Sequence, residues 1–341
     1  MRCTRLLRLD HFGALPRYET KISGERLWTH DLWIRFGEFA SRARESIVIF
    51  APYVRDDALR TILVGVRAPS VRVVTTWSID DLATGASDIR IYNTLREKRG
   101  SLYLLPGLHM KALVADCDSG VISTANISGR GLGLFEPANI ECALEMHQLQ
   151  PSEQLWFTKL VADSLLVDEE IYRAFFGEVK RKWSGADALG AELDLKAWQR
   201  KKDYTLSALP MCDSPERLLF WLGALGRQEP LEHAWELECV LHDAALFSLD
   251  PSASNEVNRQ NLRKNFFAHP LIRALAEFVD TRRYFGELKG WLQRNCTDIP
   301  TPPRKHLTRH VRTLLNWFVA LGDGAYWIDR PHYSECIVPL D

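Results

Sequence analysis

No apolar run in the chain approaches the about 18 residues needed to cross a bilayer, and no C-x-x-C spacing occurs among its seven cysteines. The first absence excludes a membrane-spanning helix from the expectations. The second removes the usual thiol signature of a zinc ribbon or a dithiol redox centre. Cys3, Cys117, Cys142, Cys212, Cys239, Cys296 and Cys336 are odd in number and scattered, which suits reduced thiols and a cytoplasmic protein. An excess of one charge is also lacking: 43 Lys and Arg stand against 44 Asp and Glu. Any surface for a polyanion is therefore expected to be local. The opening stretch MRCTRLLRLDHFGALPRYE breaks its leucines with Arg and Asp and lacks the continuous apolar core of a secretory leader. No internal repeat and no low-complexity tract is visible.

What is present is material for a full core. The 341 residues are 46% apolar and 26% charged, enough for two domains. Residues 27–45 place Leu27, Leu32, Ile34, Phe36 and Phe39 near helical spacing, then run into SIVIFAPYV, which reads as a buried strand. DDALRTILVGV follows as a helix with two acids at the positive end of its dipole. VRVVTTW reads as a strand, DDLATGASDIRIYNTLREKRG as one helix with a glycine stop, and SLYLLPGLHMKALVADCDSGVISTANI as two or three strands joined by a turn. Alternation of this kind predicts an α/β sandwich, a mixed sheet flanked by helices.

After Met146 the texture becomes amphipathic and helical. The expected division is a catalytic domain over 1–150, a helical connector over 151–205 and a mostly helical domain over 206–341. KHLTRHVRTLLNWFVALG followed by a turning, alternating end suggests a winged helix at 300–341.

One block carries chemistry. His109, Met110 and Lys111 are followed by four residues and Asp116, then by six residues and Ser123-Thr124-Ala125-Asn126, with Asn139 and Glu141 downstream. On an extended strand residues two apart face one side, so His109 and Lys111 would project together. A neutral imidazole attacks phosphorus competently, and an adjacent ammonium stabilises charge on phosphoryl oxygens. Ser123, Thr124 and Asn126 could add donors to those oxygens. Glu141, on reaching the other ring nitrogen of His109, would fix the tautomer. Asp116 suits a structural hydrogen-bonding role. With no third and fourth ligand at standard spacing, the pattern is a poor zinc site, and neither metal nor cofactor is expected.

This block resembles the HKD signature of the phospholipase D superfamily: H-x-K, four residues, D, six residues, a small pair, one residue and N. Both spacers agree, and Ser123-Thr124 departs from the family's usual Gly-Ser. APYV, VRVVTTW, a Gly-Ala-Ser-Asp turn and LREKRG extend the resemblance over roughly residues 30–150. It implies a phospholipase D-like α/β sandwich and hydrolysis of phosphodiester bonds through a phosphohistidine, with His109, Lys111, Asn126 and Glu141 catalytic. Lys111, Ser123, Thr124 and Asn126 would bind the substrate phosphate. Because family sites pair two motifs and this chain has one, the resemblance further implies a homodimer sharing one site.

The expected function is a nuclease, with DNA as substrate, in restriction or antiviral defence, acting with a partner subunit such as an ATPase. The alternatives are a non-catalytic module that dimerises through the same fold, and a phospholipase, which normally carries two motifs and often a membrane-associating segment. Between Arg259 and Arg312 twelve cations stand against four acids, a local excess suited either to phosphate contacts or to a solvated helical face. Arg304, Lys305, Arg309 and Arg312 are the nucleic-acid-binding candidates there.

Overall fold

Apolar runs alternating with amphipathic stretches build one mixed sheet covered by helices on both faces. The computed structural model describes residues 21–22, 25–185, 193, 195–229, 231, 233–298, 300–331 and 334–340. The N-terminal stretch read for a leader, and Cys3 within it, lie outside them. In chain order the first unit contains β1 (Lys21–Ile22), β2 (Glu25–Trp28), α1 (Leu32–Ser41), β3 (Ser46–Phe50), α2 (Asp56–Ile62), β4 (Ser70–Thr75), α3 (Ile79–Thr84) and α4 (Ile91–Glu97). It continues with β5 (Ser101–Leu104), β6 (Lys111–Ala115), β7 (Ser119–Ser123), α5 (Gly129–Leu132), β8 (Ala143–Met146), α6 (Pro151–Asp163), β9 (Leu165–Leu166), α7 (Glu169–Trp183) and α8 (Leu195–Lys202).

The strands lie in the order β1-β2-β8-β7-β6-β3-β4-β5-β9. β3, β4 and β5 are mutually parallel, and the other neighbours are antiparallel. Period-two alternation divides the central strands between two cores. Ile47, Ile49, Val71, Val73, Leu113, Ala115 and Val121 meet α1, α2, α4 and α7 through Phe36, Leu59, Leu95 and Phe175. Val48, Phe50, Val74, Ala112 and Val114 face Phe157 of α6 on the other side. Strands buried on both faces read as continuous apolar runs, which is why SIVIF and KALVA are so apolar.

Three segments differ from the sequence reading. Leu27 belongs to β2, not to a helix, and Ile34 on α1 is 39% exposed, so neither extends the helical core face. The single helix expected after Trp77 is two, because the chain turns at Gly85, whose φ of 81° suits a residue without Cβ. Residues 151–205, expected as a connector, add β9 to the sheet beside β5, and Leu165, Val167, Ile171, Phe175 and Val179 to the first core.

The second unit holds α9 (Pro215–Gly226), α10 (Ala234–Leu246), α11 (Asn255–Ala268), α12 (Pro270–Phe278), β10 (Arg283–Tyr284), α13 (Phe285–Asn295), α14 (Leu307–Leu321), β11 (Tyr326–Asp329) and β12 (Cys336–Pro339). From α12 onward the order is helix, strand, helix, helix, hairpin, with sheet order β10-β12-β11. That is winged-helix topology, and it begins at Pro270, earlier than the 300–341 expected. The first strand escaped notice because it is only the two residues Arg283 and Tyr284. In the second half of α14, Leu315, Trp317, Phe318 and Leu321 are buried, and Asn316 is exposed. Trp317 is 0% exposed, its Nε1 donates to the carbonyl of Cys212 at 2.9 Å, and its ring packs on Phe247 and Phe266. Among the described residues no helix is long and apolar enough to cross a membrane.

Candidate active site

Parallel strands β3, β4 and β5 all end at one edge of the sheet, and the antiparallel course of β6, β7 and β8 brings their flanking loops to that same edge. Ligands in open α/β sheets gather at such carboxyl ends. Here β6 begins with Lys111, which pairs with Ser123 at the end of β7, and Ser123 in turn pairs with Ala143 at the start of β8. Lys111, Ser123 and Ala143 are therefore consecutive rungs of one cross-strand row. His109 stands two residues before Lys111 and is exposed, Lys111 is half-buried, and Glu141 stands two residues before Ala143. The sheet thus assembles His109, Lys111, Ser123, Asn126 and Glu141 along one edge although they span 33 positions of sequence.

The polar contacts sort these residues further. Thr124 donates its hydroxyl to Oε2 of Glu141 and accepts from the amide of Cys142 at 3.0 Å. Asn139 Nδ2 donates to the other oxygen of Glu141 at 3.2 Å. Glu141 is therefore clamped from two sides, and no hydrogen bond joins it to His109. Ser123 donates to the carbonyl of Cys142 at 3.0 Å and accepts from the amide of Ala125 at 2.9 Å. Both hydroxyls expected to bind phosphate are engaged within the protein, where they fasten the end of β7 to the start of β8.

Asn126 differs. Its Oδ1 is buried without a hydrogen-bond partner, and no hydrogen bond involves its Nδ2 among the described residues. Buried polar atoms are nearly always paired, so this unpaired oxygen is unusual. The loop that carries it is firmly held: Val54 bridges Ile127, the amide of Arg55 donates to the carbonyl of Ile127 at 2.8 Å, and Ser128 caps α5. The side chains of His109 and Lys111 likewise have no hydrogen bond or ion pair among the described residues.

Asp116 lies at the far end of β6. It has φ of 53° and is followed by Cys117 at 55°, so the two form the tight turn between β6 and β7. Its carboxylate accepts the backbone amides of Arg44, Glu45 and Ser46 at 2.8–3.0 Å, which fixes where β3 begins. It serves the strand that carries Lys111 and does not touch the edge where His109 and Lys111 lie.

Two features escaped the sequence reading. Asn139 was noted for its spacing alone, and its hold on Glu141 becomes visible only in the loop before β8. His30 follows β2, whose antiparallel pairing of Trp28 with Ala143 brings that histidine to the same edge, near Glu141. It lies 3.9 Å from the carboxylate of Asp31. With strands about 4.8 Å apart, β2 lies three strands, about 14 Å, from β6. Among the described residues no three His, Cys, Asp or Glu side chains are grouped as metal ligands would be.

The cationic candidates of the second unit are dispersed around the start of α14. Arg304, Lys305, Arg309 and Arg312 are all exposed. Arg304 donates to the carbonyl of Gly286, Arg309 lies 3.8 Å from Asp213, and neither Lys305 nor Arg312 has a side-chain partner among the described residues.

No protein-family model and no curated protein matches the chain. Among solved structures it is similar to phosphatidylserine synthase from Haemophilus influenzae Rd KW20, with 17% identity, a TM-score of 0.36, and coverage of 49% of this chain and 46% of that one. It is similar to NucT from Helicobacter pylori, with 16% identity, a TM-score of 0.28, and coverage of 47% and 95%. It is also similar to Nuc from Salmonella typhimurium, a phospholipase D family member, with 15% identity, a TM-score of 0.27, and coverage of 44% and 86%. Each likeness falls on less than half of this chain, and the chain spans less than half of the first of these proteins.

Proposed function

We propose that the chain is a phosphodiesterase that cuts nucleic acid, DNA before RNA, through a covalent phosphohistidine on His109. The observation that carries the reading is the row Lys111–Ser123–Ala143, which sets an unpaired lysine beside an exposed histidine and the orphaned carboxamide of Asn126.

A ring nitrogen of His109 attacks phosphorus while the ester bond to the leaving oxygen breaks. Lys111 and the Nδ2 of Asn126 neutralise and hold the phosphoryl oxygens, where charge builds. Glu141, steadied by Thr124 and Asn139, orients the imidazole. Its hydrogen bond to His109 forms when substrate closes the site, as contacts loose in a free enzyme do. A protonated imidazole from a second copy of the chain gives its proton to the leaving oxygen, then takes one from water. The resulting hydroxide displaces the nitrogen from phosphorus and leaves a phosphomonoester. No step of this scheme calls for a metal ion.

The test is cleavage of plasmid and of labelled single strands in EDTA by the protein and by His109→Ala. The expected result is cutting that persists in chelator and disappears in the variant. Cutting that survives the loss of His109 would overturn the mechanism. No cutting by either protein, in the presence of metals as well, would favour a dimerising module without catalysis.

A further inference from the structure

We propose that the winged helix carries a phosphate-binding cradle formed by Arg294 and Arg304 over Gly290, which takes a backbone phosphate of the nucleic acid well away from the reacting edge. The inference rests on the reading that the chain acts on nucleic acid and names a second place where it holds one.

The cradle is a cleft of about 390 Å³ lined by Phe278, Gly286, Glu287, Gly290, Arg294 and Arg304. Arg294 reaches back along α13, and Arg304 comes in from the turn that precedes α14. A Cβ on Gly290 would lie 3.3 Å from a terminal nitrogen of Arg294 and 3.5 Å from one of Arg304. The two guanidinium groups therefore meet over a residue with no side chain of its own. Like charges brought together repel, and such pairs in proteins are ordinarily offset by a carboxylate. Here none serves. Arg294 has no hydrogen bond or ion pair among the described residues, and Arg304 gives one donor to the carbonyl of Gly286 and keeps the rest. Glu287, the acid that lines the cleft, has Oε2 committed to the amide of Tyr284 at 2.8 Å, where it caps the start of α13. Gln293 is similarly occupied, donating to the carbonyl of Pro302 at 3.2 Å.

Two convergent guanidinium forks with most of their donors unspent match the oxygens of a phosphodiester. The missing side chain at Gly290 leaves room for both guanidinium groups to lie close over the helix, where a phosphate can meet them together. The nucleic acid is favoured as its source because three more exposed cations follow Arg304 closely in the chain, Lys305 before α14 and Arg309 and Arg312 in its first half. Helices of this kind present their N-terminal residues to DNA. The second half of α14 offers nothing further, since Trp317 and Phe318 are buried there.

The measurement is binding of a fluorescein-labelled DNA duplex to the full chain carrying His109→Ala, so that no cutting intervenes, over about 50 to about 200 mM salt. Arg294→Gln and Arg294→Gln/Arg304→Gln are compared with it, and thermal melts establish that each variant is folded. Arg294 makes no contact that the fold needs, so its variant keeps the test readable if the double variant unfolds. The expected result is affinity weakened about tenfold in the double variant, with the log–log salt slope reduced by about 1 to 2. Arg294→Lys, which keeps the charge, should recover part of the loss. An unchanged salt slope in Arg294→Gln would overturn the cradle while leaving EDTA-resistant cutting by the active chain intact. Failure of the His109→Ala chain to bind duplex at low salt would overturn it as well. Loss of the phosphohistidine mechanism is read separately, from cleavage.

Discussion

Thr124 donates its hydroxyl to the carboxylate of Glu141 and takes the amide of Cys142 in return, so one side chain ties the end of β7 to the acid before β8. Where the resembled signature carries a small Gly-Ser pair, this chain spends the second hydroxyl on positioning an acid. Thr124→Val removes both bonds with little change of shape. Hydrogen bonds to charged groups are worth about 1.5–3 kcal/mol, so the turnover number should fall by at least about tenfold with KM nearly unchanged. Thr124→Ser should restore most of it. Equal rates for the Val and Ser variants would assign Thr124 a merely structural part.

Lys111 opens β6 half-buried, and its ammonium has no partner among the described residues, so it contributes little to the fold. Lys111→Met should leave the melting temperature within a few degrees while lowering cleavage by about 10² to 10³, the cost of removing one preorganised electrostatic donor. A variant that cuts normally would remove the lysine from the reaction.

Asp116 makes the opposite case. It receives three backbone amides at the start of β3 and sits at the end of β6 away from His109. Asp116→Ala leaves those amides without their acceptor and places Ala at a φ of 53°. A loss of about 2–4 kcal/mol in unfolding free energy is expected, with specific activity per folded molecule retained. Asp116→Asn, which tolerates the same backbone, should lose less.

These contrasts mark how much was legible in the sequence. His109, Lys111, Asn126 and Glu141 could be nominated from spacing, because Lys111, Ser123 and Ala143 pair across β6, β7 and β8 and bring the residues that flank them to one sheet edge. The α/β pattern was legible for the same reason: β3, β4 and β6 are apolar runs bounded by turns. Direction of hydrogen bonding was not. Whether Thr124 faces phosphate or Glu141 depends on the loop before β8, and nothing in the local pattern encodes it. β9 and β10 are two residues each, too short to leave a periodic signal, so the connector and the start of the winged helix were misplaced. The burial of Trp317 depends on Phe247 and Phe266, which lie more than 50 positions earlier.

His30 gives the dimer reading a sharp test. It lies at the same sheet edge as Glu141, about three strands from β6. If the proton donor is His109 of a second copy, His30→Ala should keep the cutting rate within about threefold, and sedimentation should show a dimer at assay concentration. A monomer whose activity collapses on loss of His30 would place the general acid within one chain.

Two histidines of the second unit should give stability opposite dependences on pH. Burial pushes His269 down to about 4, and its Nδ1 has no partner. Because the unfolded chain binds that proton near pH 6.5, the native state loses stability as pH falls from about 6.5 toward 4, by about 2–3 kcal/mol in all. His242 is also pushed down by burial, but the hydrogen bond and charge of Asp243, with the carbonyl of Ser207, reverse this and raise it above its ordinary value. Its contribution is complete below about pH 6.5 and is lost as pH rises through the raised value. Urea unfolding between about pH 4.5 and 8 should therefore show His269→Gln flattening the acid limb and His242→Gln flattening the alkaline one. An acid limb unchanged in His269→Gln would mean that the native chain charges that ring without cost.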